Sequence, residues 1–285
     1  MATELTITSP AEQFPRSTGI IWGPAKSGKT TLLATLPGKK LIINVDPDGY
    51  ESVSFRSDYK VIDLSGHSHK DICAAAEKVV PSMIEKELDD FQPGDSVFFD
   101  SLSSLGWAAL NAAIINQVGK SRDFTPSIEA PGLSAYGART NYIVSAMRNT
   151  LRATKQRNLH CWFTAHMDTP TTNKQGDFLY QSMTLSENGV TQTSLSISEI
   201  WFMDRDNKKQ TLAIQPVRGR KPMGTRMFRL DDVPEFEIKY NIDEDDSQMY
   251  SMATWWRMYL ANNKHKLPVP GSPDFLKLYK QLPKE

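Results

Sequence analysis

An α/β fold with a mostly parallel central sheet flanked by helices is the class this sequence predicts, and three observations predict it. The run Gly23-Pro24-Ala25-Lys26-Ser27-Gly28-Lys29-Thr30 is a full phosphate-binding loop, set between the apolar stretch Gly19-Ile20-Ile21-Trp22 and the helical stretch Thr31 to Leu36. Short runs that are apolar along most of their length, Thr18 to Trp22, Lys40 to Val45, Ser96 to Phe99 and His160 to Ala165, read as strands buried on both faces. Segments of helical spacing alternate with them, which implies parallel strands joined by right-handed crossovers.

Taken in order, residues 1–16 are polar with Pro10 and Pro15 and read as an arm or edge strand. The first helix, 29–36, is closed by Pro37-Gly38, and Lys60 to Leu64 is a weaker fifth strand. Helices are predicted over about 69–91 with a break at Pro81, over about 102–118, and over about 136–157, where Ile143, Met147, Leu151 and Thr154 recur at helical spacing. The polar stretch 167–194 is too long for an ordinary connection. Glu199 to Met203 and Gln210 to Pro216, separated by the turn signal Asp206-Asn207-Lys208, read as a C-terminal β-hairpin extension of the sheet. A last helix spans Gln248 to Asn262, and the proline-bearing tail from Asn263 reads as extended. The organisation expected is an arm (1–16), a nucleotide-binding core (17–230), and an acidic segment with a helix and an extended tail (231–285).

Composition excludes several classes. Lys plus Arg balance Asp plus Glu at 33 each, so the total charge advertises no polyanion partner. The distribution is uneven: basic residues crowd 205–229 and acidic ones crowd 231–246. Cys73 and Cys161 stand far apart in apolar contexts, which argues against a disulfide framework and for reduced, buried thiols. The start of the chain has no basic and apolar leader and no run reaches membrane-spanning length, so a cytoplasmic protein without a membrane partner is expected.

The loop carries the chemistry. Its glycines let successive N–H groups converge on a phosphate, Lys29 reaches the β and γ phosphates, and Thr30 offers a hydroxyl to Mg²⁺. Gly23, Pro24, Ala25, Lys26, Ser27, Gly28, Lys29, Thr30 and the following Thr31 are the candidate nucleotide-binding set, with ATP and Mg²⁺ as cofactors. A second acid is needed on the metal, and Asp100 ends the apolar run Val97-Phe98-Phe99, so Asp100 and Thr30 are the candidate metal pair. Ser101 stands where many ATPases place a glutamate to handle the attacking water. The next acids at a strand end are Asp46 and Asp48 in Asn44-Val45-Asp46-Pro47-Asp48-Gly49, a composition that also suits a plain turn. His166 ends the run from Cys161 to Ala165. Arg218, Arg220, Lys221 and Arg226, spaced by Gly219 and Gly224, form a basic loop whose members are candidate arginine fingers or DNA contacts.

The loop from Gly23 to Thr30, the Asp46-Pro47-Asp48-Gly49 strand end, Phe99-Asp100-Ser101, Phe163-Thr164-Ala165-His166 and the run from Ser198 to Phe202 together resemble the RecA-like ATPases, in particular the minimal phage-encoded ones. The resemblance covers roughly residues 16–230. It implies a RecA-like P-loop fold and an ATPase acting in phage recombination or replication as an annealing or recombinase-like protein. It makes Asp48 the catalytic base, although the family usually has Glu there, and leaves Asp46 a structural or supporting part. His166 would lie between the phosphate-loop strand and the Asp100 strand and report the γ-phosphate. Partners implied are single-stranded DNA, further copies of the chain in a ring or filament with interfacial ATP sites, and a single-strand-binding or replication protein. The segment 167–194 would correspond to the DNA-contacting loop, with Lys174 as its only basic residue and Phe178 or Tyr180 available for stacking. Two other readings stay open: a P-loop kinase or other phosphoryl transferase acting on a small molecule, and an ATP-regulated assembly or loader module with little turnover.

Overall fold

A computed structural model describes residues 15–47, 49–53, 59–117, 127, 130–185, 187–206, 209–216, 219–229, 235–239 and 249–283. Asp48 and Arg218, singled out in the sequence, lie outside the described residues, as do the arm up to residue 14 and most of the acidic stretch 231–246.

The apolar runs form one large sheet. Its strands are β1 (Thr18–Gly23), β2 (Lys40–Asn44), β3 (Tyr59–Asp63), β4 (Ser96–Asp100), β5 (His160–His166), β8 (Glu199–Asp206), β9 (Lys209–Ala213) and β10 (Glu235–Ile238). Their order is β10-β9-β8-β1-β5-β4-β2-β3, parallel from β8 through to β3. β8 pairs antiparallel with β9, and β9 with β10. Between β5 and β8, the strands β6 (Thr171–Thr172) and β7 (Phe178–Tyr180) pair antiparallel as a small separate ribbon.

The strands are apolar at consecutive positions because both faces of the sheet are covered. Ile20, Ile43, Phe99 and Phe163 enter one core, whereas their neighbours Ile21, Ile42, Phe98 and Trp162 enter another. Successive side chains on a strand point to opposite faces, so two apolar layers demand this pattern. The first layer is closed by α2 (His69–Ala74), α3 (Val80–Lys86), α4 (Leu102–Gln117) and α5 (Leu133–Gln156), with α6 (Glu187–Ser194) packed on α5. The second is closed by α1 (Lys29–Leu33), α7 (Met252–Ala261) and α8 (Pro273–Tyr279).

Two expectations are corrected. Pro81 does not break its helix: a π-helical turn over Ala75–Val79 joins α2 to α3 and places Pro81 in the first turn of α3. A wide turn there absorbs the missing N–H and the bulk of the ring. The tail from Asn263 is not extended throughout, since α8 forms within it. Ser272 accepts a hydrogen bond from the Phe275 N–H, Pro273 takes the first helical position, and Phe275 is fully buried. Trp255 of α7 anchors the same layer, with its ring 5.9 Å from Trp201 and 5.5 Å from Phe228. Both cysteines are free and buried. Among the described residues no helix is long and apolar enough to cross a membrane.

Candidate nucleotide site

All the parallel strands end on the same side, and the phosphate loop leaves β1 there. Gly28 has φ 99°, a conformation that strains any residue with a Cβ. At Gly23, a Cβ would lie 1.9 Å from the Met203 carbonyl oxygen of the neighbouring β8, so only glycine lets the loop turn that closely. The loop borders a cleft of about 530 Å³ lined also by Asp46, Asp100, His166, Arg205 and Gln210.

Lys29 is buried, and its ammonium donates to the carbonyls of Gly23 (3.2 Å) and Pro24 (2.6 Å). Burial pulls its pKa down to about 8 against the opposing attraction of Asp100 and Asp46. Asp100 is 3% exposed and accepts from the Thr30 hydroxyl at 2.6 Å on one oxygen and from the Thr164 hydroxyl on the other. Burial pushes its carboxyl up, and the hydroxyls and Lys29 resist that shift. The sequence pairing of Thr30 with Asp100 therefore corresponds to side chains in direct contact.

Asp46 follows β2 and sits in a cage of donors. One carboxylate oxygen accepts from Ser101 Oγ (3.1 Å) and from Ser104 Oγ; the other lies 3.3 Å from His166 Nε2. Burial alone would raise its pKa, but the bonds from His166, Ser104 and Ser101 outweigh that and hold it below the usual carboxylate range. His166 ends β5, between β1 and β4 in the sheet, and its backbone N–H donates to Ser103 Oγ at 2.8 Å. Its carbonyl accepts from the N–H and hydroxyl of Thr184, which ties the strand end to the segment returning from the β6–β7 ribbon.

The basic loop is placed differently from its sequence expectation. Arg220 is not a free finger: its guanidinium pairs with Glu235 at 3.0 Å and Asp204 at 3.6 Å and lies 4.2 Å from the centre of the Phe202 ring. It braces β8 against β10. Lys221 stands 6.0 Å over the Tyr180 ring, on the ribbon side. Arg226 lies at the opposite end of the sheet, where its backbone N–H donates to Glu199 and its side chain lines a small cleft with Arg16 and Tyr259. Among the described residues, Arg205 lines the nucleotide cleft, beside Gln210.

Sequence reasoning missed Thr164, the serines of the first turn of α4, Arg205 and Gln210. A signal existed for the serines, because Ser101, Ser103 and Ser104 crowd the four residues after Asp100. None existed for Arg205 within a block of similar charges.

The donors fit a magnesium–triphosphate group. Ser27 Oγ in the loop is fully buried with no hydrogen-bond partner, and a hydroxyl beside a carboxylate is the oxygen donor set that a hard cation prefers. Fold and loop thus define a P-loop nucleotide-binding α/β domain. The sequence profile of the AAA domain family matches residues 16–215, more than half of the chain, and the chain belongs to that family. No curated protein matches it significantly. The chain is a P-loop ATPase of the AAA domain family.

Proposed function

We propose that this ATPase is a RecA-like protein of the phage type that couples ATP hydrolysis to work on single-stranded DNA in recombination or replication, as an annealing or recombinase-like factor in the host cytoplasm. The observation that carries the reading is the ribbon that follows the cleft residue His166 in the chain. Phe178 and Leu179 are about half exposed on it, Tyr180 lies under Lys221, and its returning segment is bonded to the His166 carbonyl through Thr184. An exposed Phe178 ring and a half-buried Tyr180 ring under a cation suit stacking with unpaired bases, and the link to His166 suits coupling to the nucleotide. Assembly into a ring or filament would add side chains from a second copy, and a single-strand-binding or replication protein is a fitting further partner.

In this reading Thr30 and Asp100 would hold Mg²⁺, which when bound neutralises charge on the phosphate oxygens. Lys29 leaves the loop carbonyls for the β and γ phosphates. Loop N–H groups hold the phosphates in line for attack, Asp48 takes the proton of the attacking water, and His166 contacts the γ-phosphate. The test is ATP turnover with and without single-stranded DNA, together with DNA binding at rising salt. Turnover that climbs with DNA, and binding that weakens steeply with salt, are the expected results. Unstimulated turnover with no DNA binding at low salt contradicts the reading.

A further inference from the structure

We infer that Asp46 is a positioning residue for His166, and that the serine turn opening α4 is the clamp that holds the pair toward the γ-phosphate. The inference rests on the proposed contact between His166 and the γ-phosphate. It gives Asp46 a function of its own, separate from water activation at Asp48.

Four strand ends meet around the phosphate loop, and a single helical turn ties together the three that bear side chains of interest. Asp100 ends β4, and Ser101, Ser103 and Ser104 follow at once. Ser101 and Ser104 donate to Asp46 beyond β2; Ser103 accepts from the His166 N–H at the end of β5. Ser101 Oγ also accepts from the Ser104 N–H at 3.2 Å, capping the turn that presents these hydroxyls. The clamp therefore holds the Asp46 carboxylate and the His166 backbone in one frame, and the carboxylate then fixes the ring.

The ring needs such a partner. A strand-end histidine whose side chain is about one third exposed has free rotation about its second side-chain torsion unless one nitrogen is engaged. Nε2 is engaged by Asp46 at 3.3 Å, which leaves Nδ1 as the polar atom for a ligand. With Nε2–H given to Asp46, Nδ1 donates to a γ-phosphate oxygen when the ring is the doubly protonated imidazolium, and in the neutral ring the bare Nδ1 accepts from water bonded to that group. A partly buried carboxylate held by three side-chain donors is well ordered, so the ring is fixed before nucleotide arrives. Asp46 carries negative charge toward an anionic ligand, so simple electrostatics would have it oppose the triphosphate. Positioning and repulsion thus act with opposite signs.

The test compares affinities for ADP and for a non-hydrolysable ATP analogue, both with Mg²⁺, in the full-length protein. The ratio of the two reads the γ-phosphate contact even where turnover is lost. His166→Ala is expected to reduce the preference for the triphosphate by about tenfold, the size of one charge-assisted hydrogen bond. Asp46→Ala is expected to reduce it by a similar factor, and the double variant by little more than either single one. Asp46→Asn, uncharged but with a carbonyl that still accepts from the imidazole, is expected to fall between Asp46→Ala and the parent. Ser104→Ala, which leaves every charge in place, is expected to show a partial loss and serves if Asp46→Ala folds poorly. An Asp46→Ala protein with unchanged or raised triphosphate preference overturns the inference, as does equality of the Asn and Ala variants or losses that multiply in the double variant. An unchanged preference in His166→Ala alone overturns the underlying contact instead.

Discussion

Asp100 and Glu199 are both strand-end acids, both 3% exposed, and both pushed upward in pKa by burial, Glu199 to about 7. They lie at opposite ends of the sheet. Asp100 is the last residue of β4 and meets the hydroxyls of Thr30 and Thr164 and the field of Lys29. Glu199 is the first residue of β8 and accepts from Trp201 Nε1, Thr225 Oγ and the Arg226 N–H. A perturbed buried carboxylate is therefore no mark of chemistry by itself. What separates the two is the backbone beside them: glycine-built N–H groups converge at the carboxyl ends of the strands, and among the described residues no such loop stands beside Glu199.

Substitutions at the two ends of the sheet separate the roles of the two carboxylates. The largest effect is expected for Asp100→Asn, which should lower ATP turnover about 10²- to 10³-fold with the melting temperature little changed, by steady-state assay and thermal melt. Next is Glu199→Ala, which leaves the Trp201, Thr225 and Arg226 donors without an acceptor. A loss of about 2–4 kcal/mol in denaturant unfolding is expected, with turnover per folded molecule unchanged. Thr164→Val removes one of the two side-chain hydroxyls on Asp100 and should cost roughly tenfold in turnover; parent-level turnover would detach Thr164 from the site.

The smallest effect is a pH dependence. Glu199 has a folded pKa raised to about 7 from 4.5, so the folded state binds its proton more tightly. The stability this contributes is complete below about pH 4.5 and is lost as pH rises through 7. Glu199→Gln has no such titration. The melting temperature of the parent relative to this variant should drop by about 2–4 °C between pH 5 and pH 8. A constant difference would mean that the burial of Glu199 is balanced by its donors.

How far the fold was legible follows from the same physics. The phosphate loop and the doubly apolar strands were readable because glycine spacing and two-sided burial leave local marks. The π turn at Pro81 was not, because tertiary packing decides it, whereas α8 did carry a local mark, Ser272 as cap before Pro273 in the first turn, hidden among the other prolines of the tail. At the site, Thr30 with Asp100 could be paired from the logic of the strand ends. Arg220 could not be distinguished from Arg205 because charge in a loop says nothing about its partner: Arg220 found Glu235 and Asp204, while Arg205 lines the cleft. Asp46 was visible only as half of an acidic turn, and its ties to Ser101, Ser104 and His166 join β2, α4 and β5 across the sheet order.

The proposed nucleotide chemistry belongs to the carboxyl ends of the parallel strands. Magnesium-dependent ATP turnover measured side by side for the parent, Asp100→Asn and Glu199→Gln tests it most directly. Near-complete loss in Asp100→Asn and parental turnover in Glu199→Gln are expected; retained turnover in the first, or comparable loss in both, would place the chemistry elsewhere.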